Sequence, residues 1–136
     1  MREQVRDQGR LEHILNAINT IETFIKEQTF DSFSTNAMMY FAVVKNIEII
    51  GEAAYMLTKE FRETHLEVEW KDIISMRHVL VHGYYQISKE EVWDTATQNI
   101  PPLKLQIEHY LSEIVSSTWK VIKAGKQTSP PIGGLV

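Results

Sequence analysis

Cysteine is absent from the chain. That absence excludes a disulfide framework, a thiolate nucleophile and every cysteine-based zinc site. An excess of basic residues is missing too: 14 Lys and Arg stand against 18 Asp and Glu, for a formal net charge of −4. A globally cationic nucleic-acid binder is therefore excluded, and any phosphate-binding site must be a local patch in which particular Lys and Arg side chains reach the anion. Long apolar runs are also lacking. The polar segment Met1-Arg2-Glu3-Gln4-Val5-Arg6-Asp7 has no apolar stretch behind it, and nothing approaches the roughly 18 apolar residues of a membrane span. A soluble, cytoplasmic protein with no membrane partner is expected. No internal repeat is visible, and no segment alternates like a half-buried strand over more than a few residues.

What is present suits one helical domain. The 136 residues are 43% hydrophobic, enough apolar surface for a core of that size. Leu11, Ile14, Leu15, Ile18, Ile21 and Ile25 recur at steps of three and four and predict a first helix. The stretch Phe30 to Thr35 reads as a loop whose Ser and Thr side chains can cap a second helix, from about Asn36 to about Phe61. This second helix is apolar on most of its circumference and is expected to be the buried central one. Its exception is a stripe of Lys45, Glu48, Glu52, Tyr55 and Lys59, read either as a solvated, paired face or as a face toward a partner or cleft.

A third helix is expected from Val68 to about His82, with Gly83 as a left-handed stop. Ser88-Lys89-Glu90-Glu91 reads as a capping box that opens a fourth helix. Ile100-Pro101-Pro102 should end or kink it, because proline lacks an amide donor and restricts its predecessor. A fifth helix follows through Leu103, Ile107, Tyr110, Leu111, Ile114 and Val121. The expected fold class is all-α: an antiparallel bundle of about five helices over residues 1–125, dimeric, with a flexible tail at 126–136 dense in breakers.

The chemistry is concentrated in Met76-Arg77-His78-Val79-Leu80-Val81-His82-Gly83-Tyr84-Tyr85. Arginine presents a permanently charged planar fork to a phosphate, and histidine moves protons near neutrality. Together they suffice for RNA cleavage in which a 2′-hydroxyl attacks the adjacent phosphate, with no metal and no cofactor required. In an unbroken helix, residues five apart lie about 140° around the axis. Arg77 and His82 therefore converge only if the helix ends at His82 or if a second subunit completes the site. The bland alternative is a helix whose last turn carries His78 and His82 to complement its dipole. Chance alone places an Arg five before a His about 0.2 times in this composition, and a Tyr two further on about 0.007 times. The triplet is therefore specific where the pair is not.

Those residues, with Trp70 to Tyr85, Val92-Trp93 and Ile100-Pro101-Pro102-Leu103, resemble the HepT-like branch of the HEPN superfamily. The similarity spans about residues 7 to 115, and Ile47-Glu48-Ile49-Ile50-Gly51-Glu52-Ala53 is similar to the family's second-helix motif. His78 stands where the family commonly has asparagine after the arginine. The resemblance implies a dimeric helical bundle that cuts RNA, tRNA or mRNA, without metal, as the toxin of a toxin–antitoxin pair. It further implies that Arg77 and His82 are the catalytic pair, that His78 supports them, and that Tyr84 receives AMP from a minimal, MntA-like nucleotidyltransferase antitoxin. The alternative is a catalytically silent HEPN partner that positions such a nucleotidyltransferase. Tyr85 reads as packing.

Other candidates read as structural. Glu48 and Glu52 form an i, i+4 carboxylate pair but lack the Glu-x-x-His partner of a di-metal bundle. His13, His65 and His109 are isolated and read as surface or packing residues. Trp70, Trp93 and Trp119 are expected as core anchors, and Met38, Met39, Met56 and Met76 as gap-fillers.

Overall fold

The computed structural model describes residues 2–83 and 86–125, and they are helical and linked by short turns. Tyr84, Tyr85 and the expected tail at 126–136 lie outside the described residues. In chain order the elements are α1 (Arg2–Ile25), α2 (Phe30–Ser34), α3 (Ala37–Met56), α4 (Lys59–Thr64), α5 (Trp70–Gly83) and α6 (Lys89–Asp94). A π-helical turn (Thr95–Asn99) then leads into α7 (Ile100–Ala124). No strand occurs among the described residues. The all-α bundle expected from the sequence is the fold.

Helix α3 is central, packing on α1 along one side and on α5 along another, while α7 packs against α1. The core follows from the periodicity of α1: Leu11, Ile14, Ile18 and Ile21 are fully buried. Each such side chain stabilises the fold by about 1.5–3 kcal/mol relative to exposure. They meet Val43, Ile47 and Ile50 of α3 and Leu103, Ile107 and Tyr110 of α7 in a single cluster. Lys104 of α7 donates to Glu22 of α1 at 2.7 Å, and that carboxylate raises the lysine above its ordinary value.

Three local expectations are corrected. The loop before α3 contains the short helix α2, because Thr29 and Ser32 form a reciprocal capping box and Phe33 is buried against Trp93 and Tyr40. The cap of α3 is Asn36 itself, whose side-chain oxygen accepts from the Met39 amide at 3.0 Å. The predicted second helix does not run to Phe61. It stops at Met56, where Leu57 and Thr58 become extended and Thr58 caps α4. The cause is distant in sequence: Asp7 of α1, only 5% exposed, accepts from the Thr58 amide at 2.8 Å and from its hydroxyl at 2.7 Å. Those bonds replace what Thr58 would donate within a continuous helix.

The capping box at Ser88 and Glu91 forms as expected. At Pro101 and Pro102 the helix continues across a π turn in which the Ile100 amide bonds back to the Thr95 carbonyl. The ladder is already re-registered there, so the rings and missing donors fall in the first turn of α7, where proline is tolerated. Thr95 and Thr97 hydroxyls donate to the Glu91 and Trp93 carbonyls, adding partners beside the irregular turn. No described helix is long and apolar enough to cross a membrane.

Candidate active site

Arg77 is placed by the crossing of α5 over α3. Gly51 of α3 is buried, and a Cβ there would collide with Cβ and Cγ of Arg77 and lie 3.1 Å from the Ile73 carbonyl oxygen. Only glycine permits this approach. From that base the Arg77 side chain, one-third exposed, reaches Glu52 one residue further along α3, with Nη2 3.0 Å from Oε2.

The guanidinium opens on a cleft of about 240 Å³ between α1, α3 and α5. Arg10 and His13 come from α1, Lys45, Glu48 and Glu52 from α3, and Arg77 from α5, over a floor that includes Ala53 and Val81. Lys45 stands 4.0 Å from Glu48. Of the two readings of the polar stripe on the second helix, the cleft-facing one applies to Lys45, Glu48 and Glu52. Tyr55 is exposed elsewhere, and Lys59 lies beyond the helix break, 4.0 Å from Glu63. A larger cleft of about 460 Å³, lined by Ile47, Val68, Ile73 and Leu103 with Glu67, Glu69 and Asp72, contains no Arg, Lys or His. The smaller cleft holds the groups suited to a phosphate, which makes it the candidate site despite its size.

His78 and His82 are set on the outer side of α5, their ring centroids 4.7 Å apart, and neither lines the Arg77 cleft. Gly83 is not a left-handed stop. It is buried and helical, no described glycine has a positive φ, and α5 runs through His82 without a break. One of the two routes to convergence is thereby closed, and within a single chain Arg77 and His82 point about 140° apart. Tyr84, which the sequence singles out beside them, lies outside the described residues.

Two cleft residues escaped the sequence reading: Arg10, and His13, which looked isolated. Their signal is an i, i+3 spacing on α1 beside the buried stripe, but nothing local says that this face borders Arg77. His65 and His109 do match the structural reading. His65 stacks on Phe61 at 3.8 Å with Nδ1 2.8 Å from the Phe61 carbonyl oxygen, and His109 lies 3.5 Å from Glu113. Trp70 is a buried anchor whose indole donates to the His65 carbonyl at 2.8 Å, and Trp93 packs on Phe33. Trp119 is not an anchor, being 42% exposed, and Met38 and Met56 are exposed rather than gap-fillers. Among the described residues no three His, Asp or Glu side chains gather as a metal-holding group.

Residues 14–110 match the family described as Ribonuclease HepT-like. This chain belongs to that family. Among its relatives, the "Putative RNase" of Caldanaerobacter subterraneus subsp. tengcongensis is 38% identical over 103 residues, covering 76% of this chain and 92% of that protein. The "Probable ribonuclease HepT" of Thermococcus cleftensis is 37% identical over 98 residues, covering 72% and 89%. A third, "Gamma-glutamylcyclotransferase and putative RNase" of Methanocaldococcus jannaschii, is 38% identical over 104 residues. This HepT-like chain spans 76% of itself but only 47% of that longer relative. No solved structure matches.

Proposed function

We propose that this HepT-like protein is a metal-independent endoribonuclease acting as a homodimer, the toxin of a toxin–antitoxin pair. The observation that carries the reading is Arg77, wedged against Gly51 and opening on a cleft beside an apolar face left bare in one chain. Met38 and Phe41 of α3 make that face, next to the cleft's own exposed lining of Ile49, Met56 and Val81. Burying it against a second copy would set the two motifs side by side and let His82 of one subunit approach Arg77 of the other.

In this mechanism His82 takes the 2′-hydroxyl proton, the 2′-oxygen bonds to phosphorus, and the bond to the 5′-oxygen breaks as that oxygen gains a proton. Arg77 stabilises the extra charge on the phosphoryl oxygens, and His78 supports the acid–base step. Silencing follows from a nucleotidyltransferase antitoxin: the Tyr84 oxygen attacks the α-phosphorus of ATP, pyrophosphate leaves, and the attached AMP presents an anion to Arg77. The Arg77–Glu52 ion pair favours a second reading, a silent partner whose arginine is engaged by a carboxylate instead of RNA.

The test is cleavage of RNA by purified protein in excess chelator, with 2′,3′-cyclic phosphate ends as the expected product. Arg77→Ala and His82→Ala should each abolish it with the fold intact, and His78→Ala should reduce it. An inert wild type that also leaves growth unaffected without its neighbouring gene would favour the silent partner. Intact-mass steps of one AMP that persist on Tyr84→Phe would overturn the modification site.

A further inference from the structure

We infer that Arg10, His13 and Lys45 form a second phosphate subsite, which holds the linkage next to the one that Arg77 engages. This rests on the ribonuclease reading above. The chain as a whole is anionic, yet the cleft gathers three permanent cations, Arg10, Lys45 and Arg77, against two carboxylates, Glu48 and Glu52. It is the local positive patch that an acidic RNA-binding chain requires.

The carboxylates are already committed. Glu52 is drawn to Arg77 at 3.0 Å, and Glu48 stands 4.0 Å from Lys45 in a surface pair of little strength. Arg10 lines the cleft with no ion pair among the described residues. A phosphodiester oxygen is a fitting complement, because the planar fork offers parallel donors to two oxygens of one anion.

His13, one turn further along α1, adds a ring donor on the same face. The cleft volume, about 240 Å³, falls below the roughly 300 Å³ that encloses a whole small molecule. It suits a phosphodiester lodged in the cleft with its bases outside, so the subsite should favour strand length over sequence.

The experiment measures binding of an uncleavable 2′-O-methyl hexanucleotide by fluorescence anisotropy across a salt series. Each single-strand phosphate that a variant no longer neutralises should lower the slope of log affinity against log salt by about 0.7. Arg10→Gln and Lys45→Gln should each show that fall with an unchanged melting temperature, and Arg10→Lys should restore most of the slope. On cleavable RNA both glutamine variants should raise KM and leave kcat nearly intact, with less effect on a dinucleotide than on a hexanucleotide. Absence of binding by wild type, or unaltered slopes in both variants, overturns the subsite. Should Arg10→Gln unfold, Lys45→Gln carries the same decision. Failure of wild type to cleave while it binds with the expected slopes would instead overturn the ribonuclease reading alone.

Discussion

Gly51 and Arg77 face each other where α3 and α5 cross, and the arginine's first two side-chain carbons occupy the space that any larger residue at 51 would need. Gly51→Ala should therefore be destabilising although alanine is the better helix former. Overpacking costs about 1–3 kcal/mol, and the propensity gain returns at most about 1 kcal/mol. Gly9→Ala is the control, since nothing lies within 4 Å of a Cβ there, and it should be neutral or stabilising. Urea midpoints of the two variants moving in the same direction would contradict this account of the crossing.

The Arg77–Glu52 ion pair predicts a different outcome for charge removal. The pair is largely solvated, with side chains 33% and 52% exposed, so Glu52→Gln should change stability by less than about 1 kcal/mol. RNA affinity at low salt should rise, because the guanidinium no longer has to leave a carboxylate to meet a phosphate. Weaker binding by Glu52→Gln would show that the carboxylate holds the arginine in its working position rather than competing with the substrate.

Asp7 ties the start of α1 to the turn between α3 and α4 through both the amide and the hydroxyl of Thr58. Asp7→Ala removes two charge-assisted bonds and strands a partly buried amide, which should cost about 2–3 kcal/mol. Asp7→Asn keeps one acceptor and should lose less. Equal, negligible losses in thermal unfolding would mean that the helix break is held by Thr58 alone.

These relationships explain why the sequence was readable in some places and not in others. The α1 stripe and the Ser88 capping box are local patterns, and local patterns carry their own physics. The break at Leu57 depends on a carboxylate 51 positions from Thr58, so the continuous apolar pattern through Phe61 hid it. Gly51 looked like a helix glycine and is a packing seat, a distinction that exists only once α5 is in place. The prolines at 101 and 102 gave a true signal of irregularity, but the structure absorbs it in the π turn before them instead of ending the helix. Arg10 and His13 reach the site from another helix, which spacing along α5 cannot reveal.

Tyr110, buried in α7, donates to Glu67 Oε1 at 2.7 Å, and the two groups shift in opposite directions. Burial first, then the bond to Glu67, pushes the phenol well above its ordinary value, whereas the Tyr110 hydroxyl is the main cause holding the Glu67 carboxyl below its own. A depressed carboxyl contributes stability above its unfolded value and loses it as pH falls through the lower folded value. A raised phenol contributes below its unfolded value and loses it as pH rises through the folded one. Tyr110→Phe should therefore lower the urea midpoint most near neutrality, and by less as acid protonates Glu67 through its lowered folded value. A deficit that is constant from pH 3 to pH 7 would assign the loss to packing rather than to the bond.

Phe41 lies on the bare face of α3, 58% exposed, in line with Met38 and with the cleft residue Lys45 at spacings of three and four. If that face is the two-fold interface, each dimer buries the ring twice, because an isologous interface uses the same patch on both subunits. Burying the exposed part of one such side chain contributes about 1–2 kcal/mol, and two rings shift the equilibrium by at least about twenty-fold. Phe41→Asp should accordingly convert a micromolar dimer to monomer in light scattering while helical content and thermal unfolding of the monomer persist, since the residue is outside the core. RNA cleavage should fall in step with the dimer fraction and recover in mixtures that restore it, because the proposed mechanism has Arg77 and His82 meet across the interface. A monomeric wild type at those concentrations, or a Phe41→Asp monomer that still cleaves RNA at the full rate, would remove the composite site and require the two residues to act from one chain.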